Sequence, residues 1–343
     1  MSDTTPPNER SSDPPPPTPG TPLWRSALGT LTPFLGILVV GLIFTMFAPE
    51  NLSARTWRIM LVQTVPVGLA AAGMTYVIIS GGIDLSVGSM IALASVTSAL
   101  ALDAGHGIAV ALGVAMLTGV GCGLYNGVLI NLLRLPPFIA TLGTMGFYRG
   151  LAKWRSGSSA VRPEELRGLE NWLHPLPELN GSPAFLGLPP GVWILVALTV
   201  LLAAALRFSL LGRYTLAIGS NEATARLCGI RIGRTKLAIY ALAGLMAGLA
   251  GMMTLARLTE GDPTSALGLE LDVIAAVVIG GASLSGGQGS VLGAFAGALL
   301  MTFLRNRCTA MGLPNYVQEI IVGHIIIVAV AVDQLRASRA ARG

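Results

Sequence analysis

The sequence predicts an all-α, polytopic membrane protein of about ten transmembrane helices, some short or broken, and three observations carry that reading. Its 343 residues are 52% hydrophobic and only 11% charged, against roughly 25% charged in an ordinary soluble domain. The apolar residues gather into about ten runs, many of them near the ~20 residues that cross a bilayer as one helix. Glycines inside those runs fall on small-xxx-small spacing, as at Gly244, Gly248 and Gly251 or at Gly293 and Gly297. That spacing lets helices approach closely where lipid offers no hydrophobic drive for packing.

Taken in order, residues 1–28 are rich in Pro, Ser and Thr, with four consecutive prolines from Pro14 to Pro17. They lack the apolar core and small-residue cleavage site of a signal peptide and read as a disordered cytoplasmic tail. The membrane-spanning body is expected over 29–334, with candidate spans at 31–48, 59–79, 87–102, 108–133, 138–151, 192–206, 237–256, 271–281, 291–304 and 317–332. The fifth and eighth are short for a full crossing and read as half-helices or re-entrant segments buried in protein. Residues 153–191 mix Arg162 and Arg167 with Glu164, Glu165, Glu170 and Glu178 and are broken by Pro175, Pro177, Pro183, Pro189 and Pro190. They read as an outside loop with one short helix. The basic density of 207–236 and of the tail 335–343, with Arg336, Arg339 and Arg342, places both termini and the 207–236 loop in the cytoplasm.

Cys122, Cys228 and Cys308 lie far apart, and so do His106, His174 and His324. Neither set has disulfide or metal spacing or converges on a catalytic constellation, so no cofactor and no enzyme activity are expected. The net charge of +5 sits in loops beside anionic headgroups of the lipid bilayer and does not indicate nucleic-acid binding.

The 207–236 loop is the first candidate site. Arg207, Arg213, Arg226, Arg231, Arg234 and Lys236 stand between two long apolar runs. Within it, 221–228 reads as a short amphipathic helix: Asn221 can cap its start, Glu222 suits the positive end of its dipole, and Ala223, Leu227 and Ile230 form an apolar edge. A plain connector between spans would look similar.

The second candidate is Asp84, set in Ser80-Gly81-Gly82-Ile83-Asp84-Leu85-Ser86 between apolar runs. An acid at that depth either caps the helix beginning near Leu85 or serves a proton, ion or substrate. Gly280-Gly281-Ala282-Ser283-Leu284-Ser285 echoes this stretch with Ser283 in place of Asp84, as in transporters built from repeats with a site near the midplane. Residues 284–288 spell LSGGQ, a pentapeptide of ATP-binding cassette ATPases, but the chain has no GxxxxGK[ST] loop to complete a nucleotide site.

Four stretches together resemble one family: ISGGIDLSVGSMIAL at 79–93, GLYNGVLINLLRLPPFIATLGTMGFYRGLA at 123–152, GSNEATARLCGIRIGRTK at 219–236 and ELDVIAAVVIGGASLSGGQGSVLGA at 270–294. They look like the membrane permease subunits of bacterial ABC importers for ribose, xylose and related sugars. The resemblance implies a multi-pass inner-membrane protein paired with a second permease subunit, two cytoplasmic ABC ATPase subunits and a periplasmic sugar-binding protein. It also implies that Gly219, Ser220, Asn221, Glu222, Ala225, Arg226, Gly229 and Ile230 form the loop that seats on the ATPase. The broken-helix candidates Gly81, Gly82, Asp84, Ser86, Gly280, Gly281 and Ser283 would flank the translocation path. Cys228 stands where the family leads one to expect a small residue such as Ser, and the proline-rich leader and long outer loop are less family-like. The alternative is an ion-coupled secondary transporter, which more often carries several buried ionisable groups; beyond Asp84 this chain offers mainly Glu319 and His324.

Overall fold

A computed structural model describes residues 53–173 and 184–340. The leader, the first predicted span at 31–48 and the final three residues lie outside the described residues. Regular structure among the described residues is helical: α1 Ala54–Ile79, α2 Val87–Asp103, α3 Ile108–Leu132, α4 Pro137–Arg155, α5 Pro190–Phe208, α6 Leu210–Ser220, α7 Glu222–Leu227, α8 Ile232–Leu258, α9 Leu269–Ile279, α10 Val291–Ala310 and α11 Asn315–Ala340.

Four of these, α1, α3, α5 and α8, are long and apolar enough to cross a membrane. α1 and α8 are mostly buried and form the centre, whereas less than half of α3 and α5 is buried. Leu117 and Leu132 on α3 are 74% and 75% exposed, a liability in water and the expected state against lipid. The run expected at 138–151 is lengthened to the 19 residues of α4: Pro137 starts the helix with a fixed φ and no wasted amide, and 152–155 add a last turn whose Lys153 and Arg155 suit the negative end of the dipole. The run at 271–281 stays short, as the 11-residue α9. The last helix continues through 335–340, so the segment read as a separate basic tail is largely its extension.

Glycine contacts hold the centre. Gly119 of α3 and Gly244 of α8 face each other so closely that a Cβ on either would overlap the other's carbonyl oxygen, and a Cβ on Gly248 would overlap that of Ala115. This is the close approach that the small-residue spacing predicts. Gly251 instead meets Ile91 and Ala94 of α2, while Gly293 and Gly297 of α10 meet Gly280 and Ala276.

The two ends of the bundle differ. At one end, α5 leaves into α6 and α7, and α8 begins. At the other end, the loop after α4 is pinned to the α8–α9 connection by paired bonds between Val161 and Gly261 (3.0 and 2.8 Å) and by a 2.7 Å ion pair between Arg162 and Glu260. The short helix expected in that loop is a single 3-10 turn, Leu169–Trp172.

Candidate functional site

Both breaks end a helix in the same way. The N–H of Gly81 bonds Ile78 O at 2.9 Å and that of Gly82 bonds Val77 O at 3.0 Å; Gly281 bonds Val278 O at 2.9 Å and Ala282 bonds Val277 O at 3.1 Å. This paired reach-back needs a left-handed residue just past the helix, supplied by Gly81 at φ 79° and Gly281 at φ 91°. The structure therefore matches Gly281, and not Gly280, to Gly81, which corrects the alignment read from the sequence by one residue. Gly280 serves packing instead, since a Cβ there would overlap the backbone of Gly293.

Asp84 is 2% exposed. Its Oδ1 accepts the backbone N–H of Ser86 at 2.8 Å and the Ser86 hydroxyl at 2.6 Å, and its Oδ2 accepts Asn126 Nδ2 at 3.3 Å. The helix itself begins at Val87 with Ser86 at the cap position, so Asp84 is not the cap expected of it but stands two residues ahead of the cap and closes an Asx turn leading into it. Asn126 Nδ2 also bonds Ser86 Oγ at 2.9 Å, and Tyr148 Oη lies 2.9 Å from Asn126 Oδ1. Thr141 Oγ1 accepts the Leu85 N–H at 3.1 Å. The carboxylate is thus met by its own turn and by α3, and the turn's backbone by α4. In the second break Ser283 Oγ accepts the Ser285 N–H at 3.3 Å, a similar two-residue turn that falls one position nearer its left-handed glycine than the Asp84 turn does.

Sequence reading missed Asn126, Tyr148 and Thr141. Asn126, a lone carboxamide inside an apolar run, carried the available signal, because a polar side chain at depth must find partners; nothing marked Tyr148 or Thr141.

The basic loop is more ordered than a loop. Leu210–Ser220 is a helix whose cap Ser209 accepts the Gly212 N–H at 3.1 Å, an element the sequence reading left out. Asn221 Oδ1 then caps α7 by accepting the Thr224 N–H at 2.9 Å. Glu222 binds Lys236 at 2.7 Å and Arg226 at 3.2 Å, tying α7 to the first turn of α8. The Lys236 ammonium, with Arg226 beside it, holds the Glu222 carboxyl below the usual carboxylate range, against a smaller opposing effect of burial.

Ala225 is 4% exposed and packs with Ile218 and Ile232, with Ile230 against them. It faces its own chain. The outward face of α7 carries Ala223, Arg226 and Leu227, and Leu227 is 89% exposed. Gly229, at φ 82°, makes the turn back to α8. Beside α7 lies a cavity of about 1100 Å³ lined by Arg134, Arg226, Arg231, Arg234 and Lys236.

These parts meet. The N–H of Gly287 donates to Ile79 O at 2.8 Å. A Cβ on Gly219 would overlap both Ile79 O and Gly287 N, and one on Gly287 would crowd Ser220. The glycines of the LSGGQ stretch are thus spent on packing α6 against the two breaks. α1 runs 26 residues before its break, about 39 Å, so this junction lies at one end of the bundle and not at the midplane that the repeat suggested. Among the described residues, no group of three or more His, Cys, Asp or Glu is placed to hold a metal.

A family model for the branched-chain amino acid transport system / permease component matches residues 58–330. The chain belongs to that permease family. It is 38% identical to the ribose import permease protein of Escherichia coli over 301 residues, 87% of this chain and 92% of the relative. It is 37% identical to the ribose import permease protein of Bacillus subtilis over 309 residues, 90% and 94% of the two chains. The L-arabinose ABC transporter permease protein of Azospirillum brasilense is 33% identical over 305 residues, 88% and 87%. No solved structure matches. The permease is therefore an integral membrane transport component and not an enzyme, and the LSGGQ stretch is a packing element within it.

Proposed function

We propose that this permease forms the membrane path of an ATP-driven importer for a monosaccharide, with the ribose and arabinose permeases named above as its guide to substrate class. The observation that carries this reading is the junction of Gly219 with Ile79 and Gly287. A force applied to α6 and α7 from outside the bundle reaches the ends of α1 and α9 through direct backbone contact, with no compressible side chain between. Helical elements capped by Ser209 and Asn221 and braced by the Glu222–Lys236 pair transmit such a force as a rigid-body displacement.

In this reading the α6–α7 end faces the cytoplasm, where the exposed edge of Ala223 and Leu227 and the cationic basin beside it seat on an ABC ATPase subunit. The opposite end, with the pinned outer loop, receives a periplasmic sugar-binding protein. A second permease subunit completes the path in the bacterial inner membrane.

Sidedness is testable without any substitution, because Cys228 is exposed while Cys122 and Cys308 are buried. A membrane-impermeant maleimide should label the protein in inverted vesicles and not in intact spheroplasts, and bound ATPase should protect it. Labelling from the periplasmic side would overturn the orientation and the coupling scheme. Reconstitution with the ATPase and binding protein should give D-ribose or L-arabinose uptake that requires ATP.

A further inference from the structure

A cavity of about 330 Å³ lies away from the junction, bounded by α1, the end of α8, the start of α9, the end of α10 and the start of α11. Its lining gathers Gln63, Arg257, Asp272, Thr302, Arg305 and Asn306 in a chain only 11% charged. Polar groups at such depth are expensive and mark function.

The depth follows from helix lengths. α9 holds 11 residues before its break, about 16 Å, so it begins part-way through a bundle whose α1 is about 39 Å long. Asp272 is in its first turn. Gln63 on α1 lies 16 residues before Ile79, about 24 Å from the junction. The cavity thus sits where a half-helix starts inside the bundle, the arrangement that places solute sites in broken-helix transporters.

Its hydrogen-bonding capacity is mixed and partly unused. Asn306 Nδ2 donates to Gln63 Oε1 at 3.1 Å. That bond fixes both planes and leaves Gln63 Nε2 as donor and Asn306 Oδ1 as acceptor without a protein partner among the described residues. Arg305 is held by Asp272 at 2.7 Å. Thr302 is buried, yet its hydroxyl makes no bond to its own helix, whereas Thr64, Thr75, Thr254 and Thr309 each bond the carbonyl four residues back.

We infer that this cavity is a polyol subsite of the permease itself, in which vicinal sugar hydroxyls, each both donor and acceptor, bridge Gln63, Asn306 and Thr302 beside the fixed Asp272–Arg305 pair. Its volume falls at the lower end of the ~300–1,000 Å³ of small-molecule sites, which suits a monosaccharide and excludes long oligosaccharides. The inference rests on the importer reading above and adds a stereochemical filter inside the membrane to whatever selection occurs before entry.

The test uses the reconstituted complex of permease, ATPase and binding protein, with radiolabelled D-ribose and L-arabinose as probes. Thr302→Val, Gln63→Leu and Asn306→Leu should each raise the uptake KM about three- to tenfold, the loss of one or two net hydrogen bonds. Thr302→Ser should restore it, and in Thr302→Val basal ATP hydrolysis and thermal stability of the complex should stay at wild-type values, whereas Gln63→Leu and Asn306→Leu also break their mutual bond and should melt somewhat lower. Thr302→Val preserves side-chain shape, so it decides the matter even where a leucine variant folds poorly. Wild-type KM and rate in both Thr302→Val and Gln63→Leu would overturn the subsite while leaving the importer standing. A wild-type complex that imports neither probe would instead overturn the sugar-importer reading and the subsite with it.

Discussion

Gly287 donates its backbone N–H to the carbonyl oxygen of Ile79 at 2.8 Å, so the last residue of α1 is capped by a residue from the far half of the chain. Helix ends leave carbonyls without intrahelical partners, and here one of them is satisfied by the second break. Gly219 fills the same contact from a third direction. Three separate stretches are thereby locked at backbone distance, which is why a push on α6 cannot be absorbed by side-chain repacking.

Gly219→Val should therefore be among the most damaging single changes. Its side chain would have to displace the Ile79 carbonyl and the Gly287 amide, and overpacking of this kind costs ~1–3 kcal/mol. Gly143→Ala, on a helix position with open space around it, is the control and should leave stability unchanged or slightly raised. Thermal unfolding of detergent-purified protein distinguishes the two. Equal melting temperatures for both variants and wild type would show that the junction is looser than drawn.

Asp84→Asn and Asp84→Leu separate a structural acid from an ionic one. Asn keeps an oxygen for the Ser86 amide and hydroxyl but turns a donor toward Asn126 Nδ2, so a moderate loss of ~1–2 kcal/mol is expected with transport retained. Leu leaves the Ser86 N–H, the Ser86 hydroxyl and Asn126 short of an acceptor and should cost ~3 kcal/mol or more in folded yield. An Asn variant with wild-type stability and no uptake would assign the charge a direct part in transport.

Much of this was legible in the residues because its causes are local. Asn221 caps α7 since its side chain needs only its own next turn, and Gly81 ends α1 since only glycine takes that φ without strain. The facing of Ala225 was not legible: at helical spacing it sits as well on an outer edge as an inner one, and only the positions of Ile218 and Ile232 decide. Nor was the meeting of Gly219, Ile79 and Gly287, because a glycine in sequence announces close approach without naming its partner. The cavity around Gln63 and Asn306 was hidden for the same reason, being assembled from five helices distant in sequence, with α10 contributing Thr302, Arg305 and Asn306 and the others single polar residues.

Acidity should loosen the α7 segment through Glu222. Its carboxyl is held below the usual range by Lys236 first and Arg226 second, so its contribution is present above the unfolded value of ~4.3 and is lost as pH falls through the lower folded value. The group is nearly half exposed, so screening limits the effect to under ~1 kcal/mol at neutral pH. Glu222→Gln should be slightly less stable than wild type at pH 7, and the gap should close in strongly acidic buffer. A gap that widens on acidification would mean that another group holds the segment.

Leu227→Asp and Ala225→Glu make opposite demands on the proposed docking surface. Leu227 is 89% exposed, so an aspartate there removes no internal contact and should leave insertion, melting temperature and solubility at wild-type values. If α7 seats on an ATPase, the same change puts a carboxylate into a surface that must desolvate it, at a cost of several kcal/mol when it finds no cation. Co-purification with the ATPase and ATP-dependent uptake should then fall together by more than tenfold. Ala225→Glu instead forces a carboxylate between Ile218 and Ile232 and should lower the stability of the permease alone, before any partner is added. Measuring melting temperature and ATPase pull-down on both variants separates the two effects. Should Leu227→Asp keep full ATPase binding and uptake, the exposed edge of α7 is not the seat, and the cationic basin beside it, tested by Arg231→Glu with Arg234→Glu, becomes the surface to which coupling must be assigned.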